Sequence, residues 1–134
     1  MSKPKTVNTT GRRKRSIARA VLIQGKGMVR INGQSLDTIE PRLVRMKLRE
    51  PLMLAGDVAT KVHIDVNVNG GGIMSQADAA RLAISRALAA AGGEKIRQVL
   101  LNYDRAFLVA DTRRKEQRKP NDSKARAKRQ KSYR

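Results

Sequence analysis

The side chains able to do chemistry in this chain are almost all cations. Gly11-Arg12-Arg13-Lys14-Arg15 sets four positive charges in a row, and Arg19 follows after Ser16-Ile17-Ala18. Adjacent cations repel one another, so such a run is stable beside anions or spread in water. Its arginine content suits phosphate, because a planar guanidinium fork grips two phosphate oxygens at once. The second candidate is Asn69-Gly70-Gly71-Gly72, followed by Ser75-Gln76. Glycines ahead of a helix either make a tight turn or bring backbone N–H groups against a phosphate, and the local sequence leaves both readings open. No Gly-Lys-Ser/Thr follows and no dinucleotide pattern fits, so this is not a nucleotide-binding loop.

Little else could react. There is no cysteine, which removes thiolate zinc sites, disulfides and cysteine nucleophiles. His63 is the one histidine, and it falls on a strand face opposite the aliphatic one. No two carboxylates are spaced for acid–base work; Asp104 and Asp111 each precede an arginine and suit local ion pairs. The expectation is a protein without catalytic residue, metal ligand set or cofactor. Tyr103, Phe107 and Tyr133 are the only aromatics, too few for a platform on which bases stack.

The charge is concentrated at the ends. The chain has 134 residues, 30 Lys+Arg against 11 Asp+Glu, a net +19 and a pI near 11.5. Residues 1–19 hold seven basic residues and no acid, and residues 111–134 hold eleven basic residues and three acids. Between them the net charge is only +4. Such a balance calls for a polyanion, with nucleic acid the leading inference. From Thr112 onward no aliphatic residue is larger than alanine, so this segment buries too little to offset its ordering entropy. The division implied is a basic N-terminal extension (1–15), a globular domain (16–110) and an extended basic tail (111–134). Removal of residues 1–15 or of the tail should then leave the domain folded. No run of ~18 apolar residues exists to span a membrane.

The elements that must carry these residues read as α+β. Ser16–Ile23 alternates, with Ile17, Val21 and Ile23 on the same face as Arg19; Met28–Asn32 resumes as a strand after Gly25-Lys26-Gly27, which suggests a hairpin. Ile39, Leu43 and Met46 predict a helix between Leu36 and Glu50 that Pro51 ends. Val58–Asn69 alternates without a break and predicts a long half-buried strand. Ser75-x-x-Asp78 has capping-box spacing and opens an alanine-striped helix to Ala91. Gly92-Gly93 closes it, a shorter helix spans Glu94–Tyr103, and Phe107–Val109 is a candidate last strand.

Taken together the motifs resemble one family. Gly11-Arg12-Arg13-Lys14, Ala18-Arg19, Arg30-Ile31-Asn32-Gly33, Asn69-Gly70-Gly71-Gly72 and Arg86-Ala87-Leu88 recur in this order in the universal S-nine family of small-subunit ribosomal proteins. Asp111-x-Arg113, Lys124-Ala125-Arg126 and the ending Gln130-Lys131-Ser132-Tyr133-Arg134 complete the set, and the Lys-Ser-Tyr-Arg ending is similar to the archaeal and eukaryotic branch.

The resemblance implies an α+β two-layer sandwich: about four strands with helices on one face, like the second domain of the S-five ribosomal protein. It implies a structural constituent of the small ribosomal subunit, cytoplasmic and ribosome-bound, with no enzymatic activity. Its partners would be ribosomal RNA in the subunit head, neighbouring head proteins and the peptidyl-site tRNA. Ribosomal RNA contacts carry over to Arg12, Arg13, Lys14, Arg15, Arg19, Arg113, Arg114, Lys115, Arg118, Lys119, Lys124, Arg126 and Lys128. Transfer RNA contacts carry over to Arg129, Lys131, Tyr133 and Arg134. A free basic nucleic-acid-binding protein and a small RNA-directed enzyme remain the rival classes.

Overall fold

Two strands with strict alternation form the centre of the sheet. β2 (Ser16–Gln24) buries Ser16, Ala18, Ala20 and Leu22, and β5 (Val62–Asn69) buries Val62, Ile64, Val66 and Val68. The structure is a computed structural model and describes residues 5–133. The mixed sheet has five strands in the order β1-β2-β5-β3-β4, with β1 Val7–Arg13, β3 Val29–Ile31 and the two-residue β4 Gln34–Ser35. β1 with β2, β2 with β5, and β3 with β4 pair antiparallel, while β3 runs parallel to β5. The fold class is the one expected, with one strand more than the resemblance implies.

All the helices of any length lie on one face. α1 (Arg42–Ala55) and α3 (Ile73–Tyr103) pack against each other, and α3 packs against β1, β2 and β5. α3 breaks at Gly93 (φ 74°), so it is two helical pieces as the Gly92-Gly93 pair predicts. Its buried stripe of Ala77, Ala80, Ala83, Ile84, Ala87 and Leu88 lets the helix lie close to the strands. A Cβ on Gly11 would overlap the Ala79 carbonyl oxygen, so β1 touches the helix backbone itself.

Several expectations are corrected. Residues 7–13 are a sheet strand rather than part of an extension: β1 and β2 form the hairpin, turning at Lys14 (φ 52°) and Arg15. β2 and β3 are not paired, because the longer β5 lies between them and takes both ladders. Ala18, Ala20 and Leu22 face the core, while Ile17, Arg19, Val21 and Ile23 lie on the open face. The close approach of α3 favours small side chains at Ala18 and Ala20, and the larger Leu22 fits at the far end of the strand.

α1 starts at Arg42 and runs through Pro51, with Leu36–Thr38 a separate 3-10 turn. Pro51 forfeits one backbone bond, but its ring is buried on the same face as Leu48 and Ala55. The first residues of the expected long strand form the short helix α2 (Asp57–Thr60). Gly72 caps α3 and Ser75 lies inside its first turn, so no capping box forms. Asp78 instead accepts from Lys47 Nζ at 3.0 Å.

Phe107 is not in a strand. It closes a 3-10 turn (Arg105–Phe107) and is fully buried, with the Arg81 guanidinium 4.1 Å above its ring. Arg81 also pairs with Glu50 at 2.7 Å, so one side chain ties α1, α3 and the end of the domain together. Arg86 does the same at the sheet edge, donating to Thr10 O at 2.8 Å and to Leu108 O at 3.2 Å. Among the described residues beyond 110 there is no helix or strand, and none of residues 111–133 is buried.

Candidate nucleic-acid interface

The β1–β2 turn and the root of the tail meet at the N-terminus of α3. Arg13, Lys14 and Arg15 come from the turn, Gly71, Gly72 and Ser75 from the helix start, and Arg113, Arg114 and Lys115 from the tail. Together they line a cleft of about 700 Å³ with six cations and no carboxylate. Three segments far apart in sequence thus supply one electropositive surface.

Local chemistry explains the approach. Gly71 has φ +65°, and a Cβ there would overlap Ser16 Oγ, so only glycine lets this loop close on β2. Ser16 is fully buried and its hydroxyl donates to Gly70 O at 2.9 Å, fixing the loop to the strand. Gln76 N donates to Gly72 O, the first bond of the helix. The N–H groups of Ile73, Met74 and Ser75 therefore have no intrahelical acceptor, and the helix dipole adds partial positive charge at the cleft. This is a phosphate-binding geometry.

Asp111 holds the tail root in place. Its carboxylate accepts from Arg13 Nη1, from the Arg113 guanidinium at 2.7–3.1 Å and from Arg113 N at 2.9 Å. The Arg113 side-chain bond first, then its backbone N–H, then the nearby charges of Arg113 and Arg13 hold the Asp111 carboxyl well below the usual carboxylate range. The same pairing pushes Arg113 upward. One residue on, Arg114 Nη1 donates to Lys14 O. A second cavity of about 400 Å³ lies on the far side of Arg13, lined by Arg12, Arg81, Arg105 and Arg113, but Asp78 and Asp111 enter it. Those carboxylates oppose an anion there, which makes the carboxylate-free cleft the better anion site.

The other expected contact residues lie elsewhere. Arg12 and Arg19 are exposed on the open sheet face. Arg118 donates to Asp122 O at 3.1 Å, and Lys119 and Arg126 both reach Glu116 at 2.8 Å, folding the tail back over a turn at Lys119–Asp122. Those two bonds, Lys119 first, lower the Glu116 carboxyl. Lys124, Lys128, Arg129, Lys131 and Tyr133 are exposed, Tyr133 at 89%. Arg134 lies outside the described residues. The sequence does not single out Asp111 as a hub, because Arg13 is 98 positions away; only its place two before Arg113 is legible. Among the described residues no group of three or more His, Asp or Glu could hold a metal ion, and no helix is long and apolar enough to cross a membrane.

A two-layer α+β domain whose cations converge at one helix end, beside a basic irregular tail, defines a class of small, strongly basic proteins. The chain belongs to the family described as ribosomal protein S9/S16, whose model matches residues 11–134. A Methanococcus vannielii protein named small ribosomal subunit protein uS9 is 46% identical over 133 residues, 97% of this chain and 99% of that one. The protein of that name from Methanococcus maripaludis strain C7 gives the same figures. Membership in this family makes the chain a ribosomal protein, a structural constituent and not an enzyme.

Proposed function

We propose that the chain is a structural component of the small ribosomal subunit, cytoplasmic and ribosome-bound, that holds ribosomal RNA in the subunit head. The observation that carries this reading is the convergence of six cations from both chain ends on one carboxylate-free cleft. The name of the Methanococcus relatives, small ribosomal subunit protein, and their match over nearly their whole length support the subunit. Arg13, Lys14, Arg15, Arg113, Arg114 and Lys115 take backbone phosphates in the cleft, with the first turn of α3 behind them. Arg12 and Arg19 reach RNA from the sheet. Arg118, Lys119, Lys124, Arg126 and Lys128 track RNA along the tail, and neighbouring head proteins complete the surroundings. The tail ends at the peptidyl-site tRNA, with Arg129, Lys131, Tyr133 and Arg134 as its contacts.

The absence of cysteine makes a clean test. A hydroxyl-radical source attached to the Ser75→Cys variant in assembled small subunits should cut ribosomal RNA beside the cleft. One attached to Ser132→Cys should cut tRNA bound in the peptidyl site. Ribosomal RNA left uncut from residue 75, or tRNA left uncut from residue 132, would each remove the corresponding half of the proposal. Sedimentation separates the rival class, since a free nucleic-acid binder leaves the small subunit at moderate salt.

A further inference from the structure

We infer that the open face of the sheet is a second RNA-binding surface, one that lies in the minor groove of a double-helical RNA. The inference rests on the reading of the chain as an RNA binder and names the form of RNA that this face takes. With α1 and α3 on the other side, the outward residues of β1, β2 and β5 stand free. Pairing register sets them in rows: Thr10, Arg19 and Asn67 across one, Arg12, Ile17 and Asn69 across the next. Side chains within a row are about 5 Å apart at Cβ, and rows are about 7 Å apart.

Four of these side chains are unengaged. Arg12, Arg19, Asn67 and Asn69 have no side-chain hydrogen bond or ion pair with any described residue. The far end of the face differs, for there Asp65 carries a negative charge and contacts His63 Nε2 at 3.1 Å. The two rows nearer the cleft therefore hold cations and amides with no carboxylate among them, whereas Asn8 and Arg30 share their row with Asp65. Asn69 runs directly into Gly70, and Arg12 directly precedes cleft residue Arg13. The two surfaces are continuous.

The residue types specify the ligand. An arginine only donates, and its charge favours phosphate. A carboxamide offers both donor and acceptor, as a ribose 2′-hydroxyl does, so Asn67 and Asn69 match groups that RNA has and DNA lacks. No aromatic stands on these rows, which excludes base stacking as the mode of contact. Ile17 supplies a flat apolar contact between the two outer polar strands. A-form RNA presents its 2′-hydroxyls across a wide, shallow minor groove, a shape that a flat sheet face can meet. B-form DNA has a narrow minor groove and no such hydroxyl.

The test compares the full-length protein on a short RNA duplex and on the DNA duplex of the same sequence. The unaltered protein should prefer RNA. The double variant Asn67→Ala/Asn69→Ala should lose about tenfold in RNA affinity, as expected for two net hydrogen bonds. Its DNA affinity and salt dependence should not change, since no charge is removed. Both positions are exposed, and an unchanged melting temperature verifies the fold. An unchanged RNA-to-DNA ratio in this variant would overturn the inference and leave the face to a protein partner. Arg15→Ala/Lys115→Ala in the cleft is the control, and should weaken both duplexes and flatten the salt dependence. If that control changes neither, it is the RNA-binding reading itself that fails.

Discussion

Asp111 is the residue on which charge and geometry make opposite forecasts. It is a carboxylate at the edge of a cationic cleft, so by charge alone its removal should tighten binding to a polyanion. By geometry it is the shared anchor of Arg13 and Arg113, and through them of the β1–β2 turn and the tail root. We expect geometry to prevail. Asp111→Asn should bind RNA roughly two- to fivefold more weakly, since loss of the shared carboxylate lets the two arginines splay. Tighter binding of this variant in a filter assay would show that the cleft needs only its charge. A pH prediction follows from the lowered carboxyl. A group depressed in the folded state contributes stability that is present above its ordinary value, 3.8, and lost as pH falls through the depressed one. The clasp should therefore persist through pH 4 and open only in stronger acid. The side-chain carboxyl resonance of Asp111 measures this directly, and a midpoint at or above 3.8 would contradict it.

At the scale of elements, β1 alters what a truncation should do. Its seven residues pair with Ser16–Leu22 of β2, Thr9 Oγ1 donates to Ala83 O at 2.8 Å, and Gly11 touches the α3 backbone. Deletion of residues 1–13 should therefore destabilise the domain by roughly 3 kcal/mol, some 10 °C or more in Tm, as a ladder of modest hydrogen bonds is lost. Deletion of residues 115–134 should leave Tm within a few degrees, because none of the described residues there is buried. Equal melts for the two truncated forms would mean that β1 is not integral to the sheet. These outcomes also show what was legible in sequence. Long periodic segments were, such as the alternation through Val62–Asn69 and the alanine stripe of α3, because burial demands period. β1 was not, since Val-Asn-Thr-Thr-Gly-Arg-Arg has almost nothing apolar to bury and is a strand through its neighbours. The face of β2 was misread because Ile and Val outrank Ala by hydrophobicity, while the close approach of α3 selects by size. Of the candidate site, the cations were legible as a composition. Their convergence with Asp111 and the α3 N-terminus depends on pairings across 98 residues, which no local pattern records.

Across the whole molecule the question is how a net charge of +19 is divided between holding the fold and holding a partner. The domain uses part of its positive charge internally: Arg13, Lys47, Arg49, Arg81 and Arg113 all pair with carboxylates. The tail after Arg114 contains nine cations and two acids, and Glu116 occupies two of the nine. Free cations are clustered at the cleft with its adjoining sheet rows and along the tail, while others such as Arg30, Lys61 and Arg97 stand singly on the domain surface. RNA binding by the full chain should engage roughly six to eight phosphates, giving a slope of log K against log salt of about −4 to −7. Removing residues 115–134 should reduce the magnitude of that slope by about half, because counterions released by the tail no longer contribute. Affinity measured at low salt should then fall far more than at high salt, where screening has already removed most of the tail's pull. The remaining slope belongs to the sheet rows and to the cleft without Lys115, and Arg15→Ala in the shortened chain should lower it by about one further unit. A shortened chain with the full slope would place every phosphate contact on the domain and leave the tail outside the RNA-binding surface. A shortened chain with no slope would do the reverse and make the cleft a structural joint, whose charges serve only to seat the tail.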